Sequence, residues 1–179
     1  GNGSSDYVNV GKLGSWGGNL DGTWAIAFSI QTTDGGGQVL GSSNSNFDFR
    51  IVADSSFGST AGRPTVVIRD SDAGGDYLSV EADYDINDGK PHRVVINKSN
   101  SGADQGNFQI YIDQTEQSLT THNNDWSGSA SDFTEDFYFW AARQDGNSVE
   151  NLDGILDDIC FFGLGLNTSE ATSYNNPWS

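Results

Sequence analysis

The chain has 179 residues, with 25 acidic against 8 basic side chains and a formal net charge of −17. A surface so acidic repels nucleic acid and anionic lipid, which removes both as partners. No apolar run approaches the roughly 18 residues of a membrane span, and the length suits one domain whose core needs neither disulfides nor a structural metal.

The absence of methionine and the opening Gly1-Asn2-Gly3 read as a single domain, residues 1–179, processed or excised from a longer product. From the N-terminus onward, short strands alternate with Gly/Asp/Asn/Ser turns. The clearest is Thr23–Thr33. There Trp24, Ile26, Phe28 and Ile30 share one face, and the small Ala25, Ala27 and Ser29 share the other. That period of two sends large side chains into a core and small ones against a neighbouring layer. Similar alternation predicts strands at Gln38–Ser42, Phe47–Ile51, Thr65–Arg69, Tyr77–Val80, His92–Ile96, Phe108–Ile112, Phe137–Trp140 and Leu156–Phe162. In the last of these, Leu156 and Ile159 have opposite parity. Either a bulge at Asp157-Asp158 brings both to the core, or Leu156 belongs to the other face. One segment reads as helix: Asn167 caps it, Glu170 closes a capping box three residues on, and Pro177 lies beyond. The expected fold class is all-β, a two-sheet antiparallel jelly-roll sandwich with one short C-terminal helical turn.

The order of these pieces resembles the laminin-G-like jelly roll of the concanavalin A-like lectin and glucanase superfamily. The resemblance rests on Gly3-Ser4-Ser5-Asp6-Tyr7-Val8-Asn9-Val10, which looks like the family's first strand, Thr23–Ile30 as second strand, and Asp88-Gly89-Lys90-Pro91-His92-Arg93-Val94 at a strand entry. It continues through Phe108-Gln109-Ile110-Tyr111-Ile112-Asp113, Asp153-Gly154-Ile155-Leu156-Asp157-Asp158-Ile159 and the Leu166–Ala171 turn. Proline stands at position 91 where the family usually has tryptophan, and Gln114 replaces a usual glycine. The resemblance implies a binding module rather than an enzyme, and in many members a calcium ion at the sandwich rim. The loop Arg143–Glu150 looks like the corresponding loop of pentraxins, and by position Gln144, Asp145 and Glu150 become the implied calcium ligands. The alternative is a solvated acidic loop. The acidic turn Asp70–Asp76 is a weaker metal candidate, because it lacks the bidentate Glu that closes an EF-hand loop.

Sugar recognition pairs an aromatic face with amide and carboxylate hydrogen bonds. The segment His122-Asn123-Asn124-Asp125-Trp126 supplies these groups within five residues, read as a connection between strands. Asn123, Asn124, Asp125 and Trp126 are therefore the first candidate ligand residues, with Trp16 as a further one. The alternative for Trp126 is a plug folded over one end of the sandwich. A retaining glycosidase needs two carboxyl groups about 5–5.5 Å apart. Glu81-Ala82-Asp83-Tyr84-Asp85 is the nearest sequence approach, in a turn-rich stretch, and it does not match the glucanase signature. Trp24 reads as core, Cys160 as a small buried hydrophobe, and His92 as a hydrogen-bonded structural residue. Sequons at Asn2, Asn97 and Asn167 fit a glycosylated surface.

The expected function is a non-catalytic adhesion or carbohydrate-recognition domain of a secreted, cell-surface or virion protein. Its partner would be a glycan or surface glycoprotein, and calcium a possible cofactor. The rival is a structural domain that binds only neighbouring protein subunits. The acidity with only three lysines leaves two readings open, an ordinary acidic extracellular surface or adaptation to high salt.

Overall fold

The computed structural model describes residues 7–12, 22–42, 48–52, 56–69, 77–102, 104–126, 136–139, 142–144, 147–149 and 151–173. The strands are β1 (Val8–Lys12), β2 (Trp24–Gln31), β3 (Gln38–Ser42), β4 (Asp48–Val52), β5 (Thr65–Arg69), β6 (Tyr77–Ala82) and β7 (Pro91–Lys98). They continue as β8 (Phe108–Ile112), β9 (Thr115–Glu116), β10 (Leu119–Asn124), β11 (Asp136–Phe139), β12 (Ala142–Gln144), β13 (Asn147–Val149) and β14 (Ile155–Phe162), before the helix α1 (Thr168–Ser173). A seven-stranded sheet runs β1-β11-β3-β4-β5-β6-β10, and a five-stranded sheet runs β14-β2-β7-β8-β9. β12 and β13 form a separate hairpin. All paired strands are antiparallel. This is the two-sheet jelly roll that the alternating pattern predicts.

The two inner faces supply the core. Trp24, Ile26, Phe28 and Ile30 of β2 join Val94 and Ile96 of β7 and Ile110 and Ile112 of β8 on one side. Ile51, Val66, Ile68, Leu78, Val80, Phe137 and Phe139 meet them from the other sheet. Each such side chain contributes about 1.5–3 kcal/mol through removal from water. Trp24 and Phe108 meet edge to face, with ring centroids 5.9 Å apart.

The small residues of β2 are buried as well. Ala27, Val95 and Tyr111 form a second cluster on the outer face of the five-stranded sheet, covered by Ala171 of α1 with Phe162 and Leu166 alongside. The helix is capped as its sequence requires. The Glu170 backbone N–H donates to Asn167 Oδ1 at 3.0 Å, and the Asn167 N–H donates to Glu170 Oε2 at 2.9 Å. These bonds satisfy N–H groups that a helix start leaves without partners.

The bulge in β14 is present. Asp157 pairs with Ser29 and Cys160 with Ala27, so Asp158 and Ile159 together oppose Phe28 alone. Asp158 takes φ 48°. Leu156 is thereby buried, and Ile159 packs against the core as well. β1 and β10, the edges of the seven-stranded sheet, carry register shifts at Asn9/Gly11 and Thr121/Asn123. Such kinks interrupt the flat array of free N–H and C=O groups on which another chain could pair.

Four expectations need correction. His122–Asn124 is not a connection but the end of β10, paired to β6. Leu-Thr-Thr-His-Asn-Asn shows no hydrophobic alternation because an edge strand with one polar flank needs none. Glu81 lies within β6 rather than in a turn. Cys160 is half-buried, not enclosed, because the bulge turns it to the outer face opposite Ala27. Asn97 is fully buried, and its Nδ2 donates to Gln109 Oε1 and Leu166 O at 3.0 and 2.9 Å, which leaves it no access as a sequon. His92 is structural as expected. It is buried, with Nδ1 2.8 Å from Asp113 Oδ2 and Nε2 3.0 Å from Asp88 Oδ1. Hydrogen bonds from Lys90, with a further one from His92, hold the Asp88 carboxyl well below the usual carboxylate range.

Candidate functional site

On β5 and β6, alternate residues turn away from the core. Thr65, Val67 and Arg69 stand opposite Glu81, Ser79 and Tyr77 on the outer face of the seven-stranded sheet. β10 extends this face. Thr120 pairs with Glu81 and Asn123 with Ser79, and His122 is the extra residue of the bulge between them. The bulge therefore brings both His122 and Asn123 to the outer side.

Residues 53–64 join β4 to β5, far more than the roughly two to five residues typical of a hairpin connection. The described part, residues 56–64, crosses the outer face as a strap. Ser79 Oγ donates to Phe57 O at 3.3 Å. The Thr60 N–H donates to Glu81 Oε2, and His122 Nε2 donates to the same oxygen at 3.2 Å. Gly58 packs so closely that a Cβ there would stand 3.2 Å from that of His122. The strap is pinned at its far end, where the Ile86 N–H donates to Gly62 O at 2.8 Å and Gly62 takes φ +85°. Under this cover Thr65, Ser79 and Glu81 are fully buried although they lie on an outward face.

Glu81 is a buried carboxylate, tolerable only because its oxygens are hydrogen-bonded. Besides Thr60 and His122 it accepts from Arg63 Nη1 at 3.4 Å. Arg63 also binds Asp83 through Nη1 and Asp85 through Nε, the latter at 2.9 Å. The Asp85 hydrogen bond and the surrounding carboxylate charges raise the Arg63 pKa above its ordinary value. Glu81, Asp83 and Asp85 thus converge on one guanidinium, an arrangement that neutralises carboxylates rather than poising two of them across a scissile bond.

At the strap's leading end stands an aromatic cluster. Phe57 and Tyr77 meet edge to face with centroids 5.7 Å apart, and the Arg69 guanidinium carbon lies 6.0 Å over the Phe57 ring. All three side chains are half-buried. The Asp125 N–H donates to Tyr77 O at 3.1 Å and to Asn123 Oδ1 at 2.8 Å. Amide, carboxylate, aromatic rings and a guanidinium therefore meet on one rim.

The sequence candidates divide accordingly. Asn123 and Asp125 belong to this rim. Asn124 pairs with Leu78, whose side chain enters the core, so Asn124 sits on the other side of the strand. Trp126 takes the plug alternative: it is 4% exposed and packs in the inter-sheet core, with no ring face left for a sugar. Trp16, Asp145 and Glu150 lie outside the described residues, as does the Asp70–Asp76 turn. Gln144 ends β12, opposite Asn147 of β13. Among the described residues no three His, Cys, Asp or Glu side chains gather as a metal site. Sequence reasoning missed Phe57, Tyr77 and Arg69. A signal existed in Ser55-Ser56-Phe57-Gly58-Ser59, an aromatic ring set in a Ser/Gly loop.

No protein-family model matches the chain, and no curated protein matches it in sequence. Solved structures do match in shape. The CBM40 of Ruminococcus gnavus IT-sialidase, bound to α2,3-sialyllactose, superposes with a TM-score of 0.62 at 10% identity, covering 96% of this chain and 97% of that one. The laminin α2 chain region LG1-3 gives 0.63 at 16% identity, over 95% of this chain and 32% of the other. The K499G mutant of NanB sialidase from Streptococcus pneumoniae gives 0.69 at 17% identity, over 96% and 27%. The chain thus spans about a third or less of the laminin and NanB chains. Shared by carbohydrate-binding, laminin G and pentraxin domains, the fold of this chain is the concanavalin A-like jelly roll.

Proposed function

We propose that the domain is a non-catalytic carbohydrate-recognition or adhesion module of a secreted, cell-surface or virion protein, using the outer rim of the seven-stranded sheet. The observation that carries this reading is the placement of Tyr77 and Arg69, opposite one another across β5 and β6, on the same rim as Asn123 and Asp125. A pyranose offers an apolar ring face and a girdle of hydroxyls, and this set supplies a stacking surface with both donors and acceptors. The match in shape to a CBM40 bound to sialyllactose supports the choice of ligand class. Calorimetric titration with α2,3-sialyllactose and with lactose tests it. Binding of either sugar is expected, and Tyr77→Ala should weaken it by about 30-fold, the effect of an aromatic anchor worth roughly 2 kcal/mol. Absence of heat with both sugars at millimolar concentration would overturn the reading.

Calcium at Gln144, Asp145 and Glu150 and a salt-adapted surface are two further proposals, and one melting experiment separates them. A specific ion at 100 times its dissociation constant stabilises by about 2.7 kcal/mol, which moves the midpoint by about 5–10 °C in a domain of this size. Such a rise at millimolar calcium, lost in Asp145→Ala, is the expected result for the metal. A rise only at molar sodium chloride would exclude it and favour screening of the −17 charge.

The assembly reading keeps one specific observation. Tyr7 and Val8, at the edge of the seven-stranded sheet, are 42% and 47% exposed. Concentration-dependent sedimentation, abolished by Val8→Lys, would support binding to neighbouring protein subunits.

A further inference from the structure

We propose that the strap 56–64 is a built-in competitor for the ligand, which occupies the carbohydrate-binding face in the free protein and is displaced on binding; this rests on the carbohydrate reading of the same face. The outer face of a sheet ordinarily meets water, yet here Thr65, Ser79 and Glu81 are fully sealed. What seals two of them is backbone of the strap, one carbonyl for Ser79 and one N–H for Glu81. A ring completes the set, with Phe57 against Tyr77 and beneath the Arg69 guanidinium. An acceptor, a donor and an apolar ring, each meeting its own partner on the sheet, are the groups a sugar would bring. The strap satisfies the floor as a ligand would.

The strap holds this position at a conformational cost. Phe57 takes φ 55° and ψ 28°. This left-handed region is an outlier for a bulky side chain, and such strain persists only where surrounding contacts over-determine it. A connection selected only to join β4 to β5 would place glycine or asparagine there. Phenylalanine at that position is explained by what its ring covers. Displacement need not leave buried groups unpaired, because sugar hydroxyls can replace the Phe57 carbonyl and the Thr60 N–H on the same partners. Gly58, directly after Phe57 and at φ 81°, gives the moving part backbone freedom, while Gly62 holds the far end.

A competitor that holds the closed state most of the time lowers apparent affinity by the open fraction. Phe57→Gly and Phe57→Asn both remove the ring while accepting the positive φ. Each should bind α2,3-sialyllactose about tenfold more tightly than the parent protein in calorimetric titration, provided thermal melts show both folded. Hydrogen exchange on the unmutated protein gives a second readout. The Thr60 N–H should exchange faster at saturating sialyllactose, whereas β6 amides should not. Equal or weaker binding by both variants, or greater protection of Thr60 on saturation, would overturn the proposal while the carbohydrate reading stands. If the sugar binds none of the three proteins, the carbohydrate reading itself fails and the competitor role goes with it.

Discussion

Trp126→Ala is expected to destabilise the domain by about 3–5 kcal/mol, measured as a shift in urea midpoint at unchanged slope. The indole is 4% exposed and packs among the inter-sheet residues, so its removal leaves a cavity that rigid strands cannot close. In a domain of this size the melting midpoint should fall by about 10 °C. Trp126→Phe should recover most of the loss. Its Nε1 has no hydrogen-bond partner among the described residues, so little is given up with the indole N–H. Sugar affinity of the folded alanine variant should stay close to the parent value. Unchanged stability with lost binding would return Trp126 to the ligand set and place the recognition surface at that end of the sandwich.

Glu81→Ala is the second large effect, expected at about 2–3 kcal/mol by the same measurement. Breaking a buried charge pair costs about 3–5 kcal/mol when the partner is left buried alone. Here the loss is smaller, because Arg63 keeps Asp83 and Asp85 and is only half-buried. The remaining cost falls on the Thr60 N–H, His122 and the void beneath the strap. Glu81→Gln should cost less, since its amide oxygen still accepts from Thr60. The glycosidase reading makes the opposite forecast. It expects little change in stability and the disappearance of glycoside hydrolysis, and that pattern would overturn the structural role assigned to Glu81.

What could be read from the chain itself was local. Period-two alternation in Trp24–Gln31 specified which residues enter the core, because a strand sends successive side chains to opposite faces whatever lies beyond it. The Asn167–Glu170 capping box was equally legible, since both partners lie within one turn. Even the β14 bulge could be inferred, from two apolar residues of conflicting parity a few positions apart. β10 was not legible, because a polar edge strand takes its hydrogen bonds from β6 and leaves no hydrophobic period behind.

The candidate site lay further out of reach. Asn123 and Asp125 could be chosen for their side-chain chemistry, and they do reach the rim. Trp126, next in line, is turned inward where the strand ends, and adjacency in sequence carries no information about that turn. Tyr77, Arg69 and Phe57 come from two strands and a connection, and they meet only when β5 pairs with β6 and the strap folds across both. The sequence by itself determined the strands with an apolar period, their inward faces, the bulge and the cap, because each depends on neighbours within a few residues. Tertiary structure alone decided which polar and aromatic groups share a surface, because register and loop placement are set by the packing of distant segments and not by the period of any one of them.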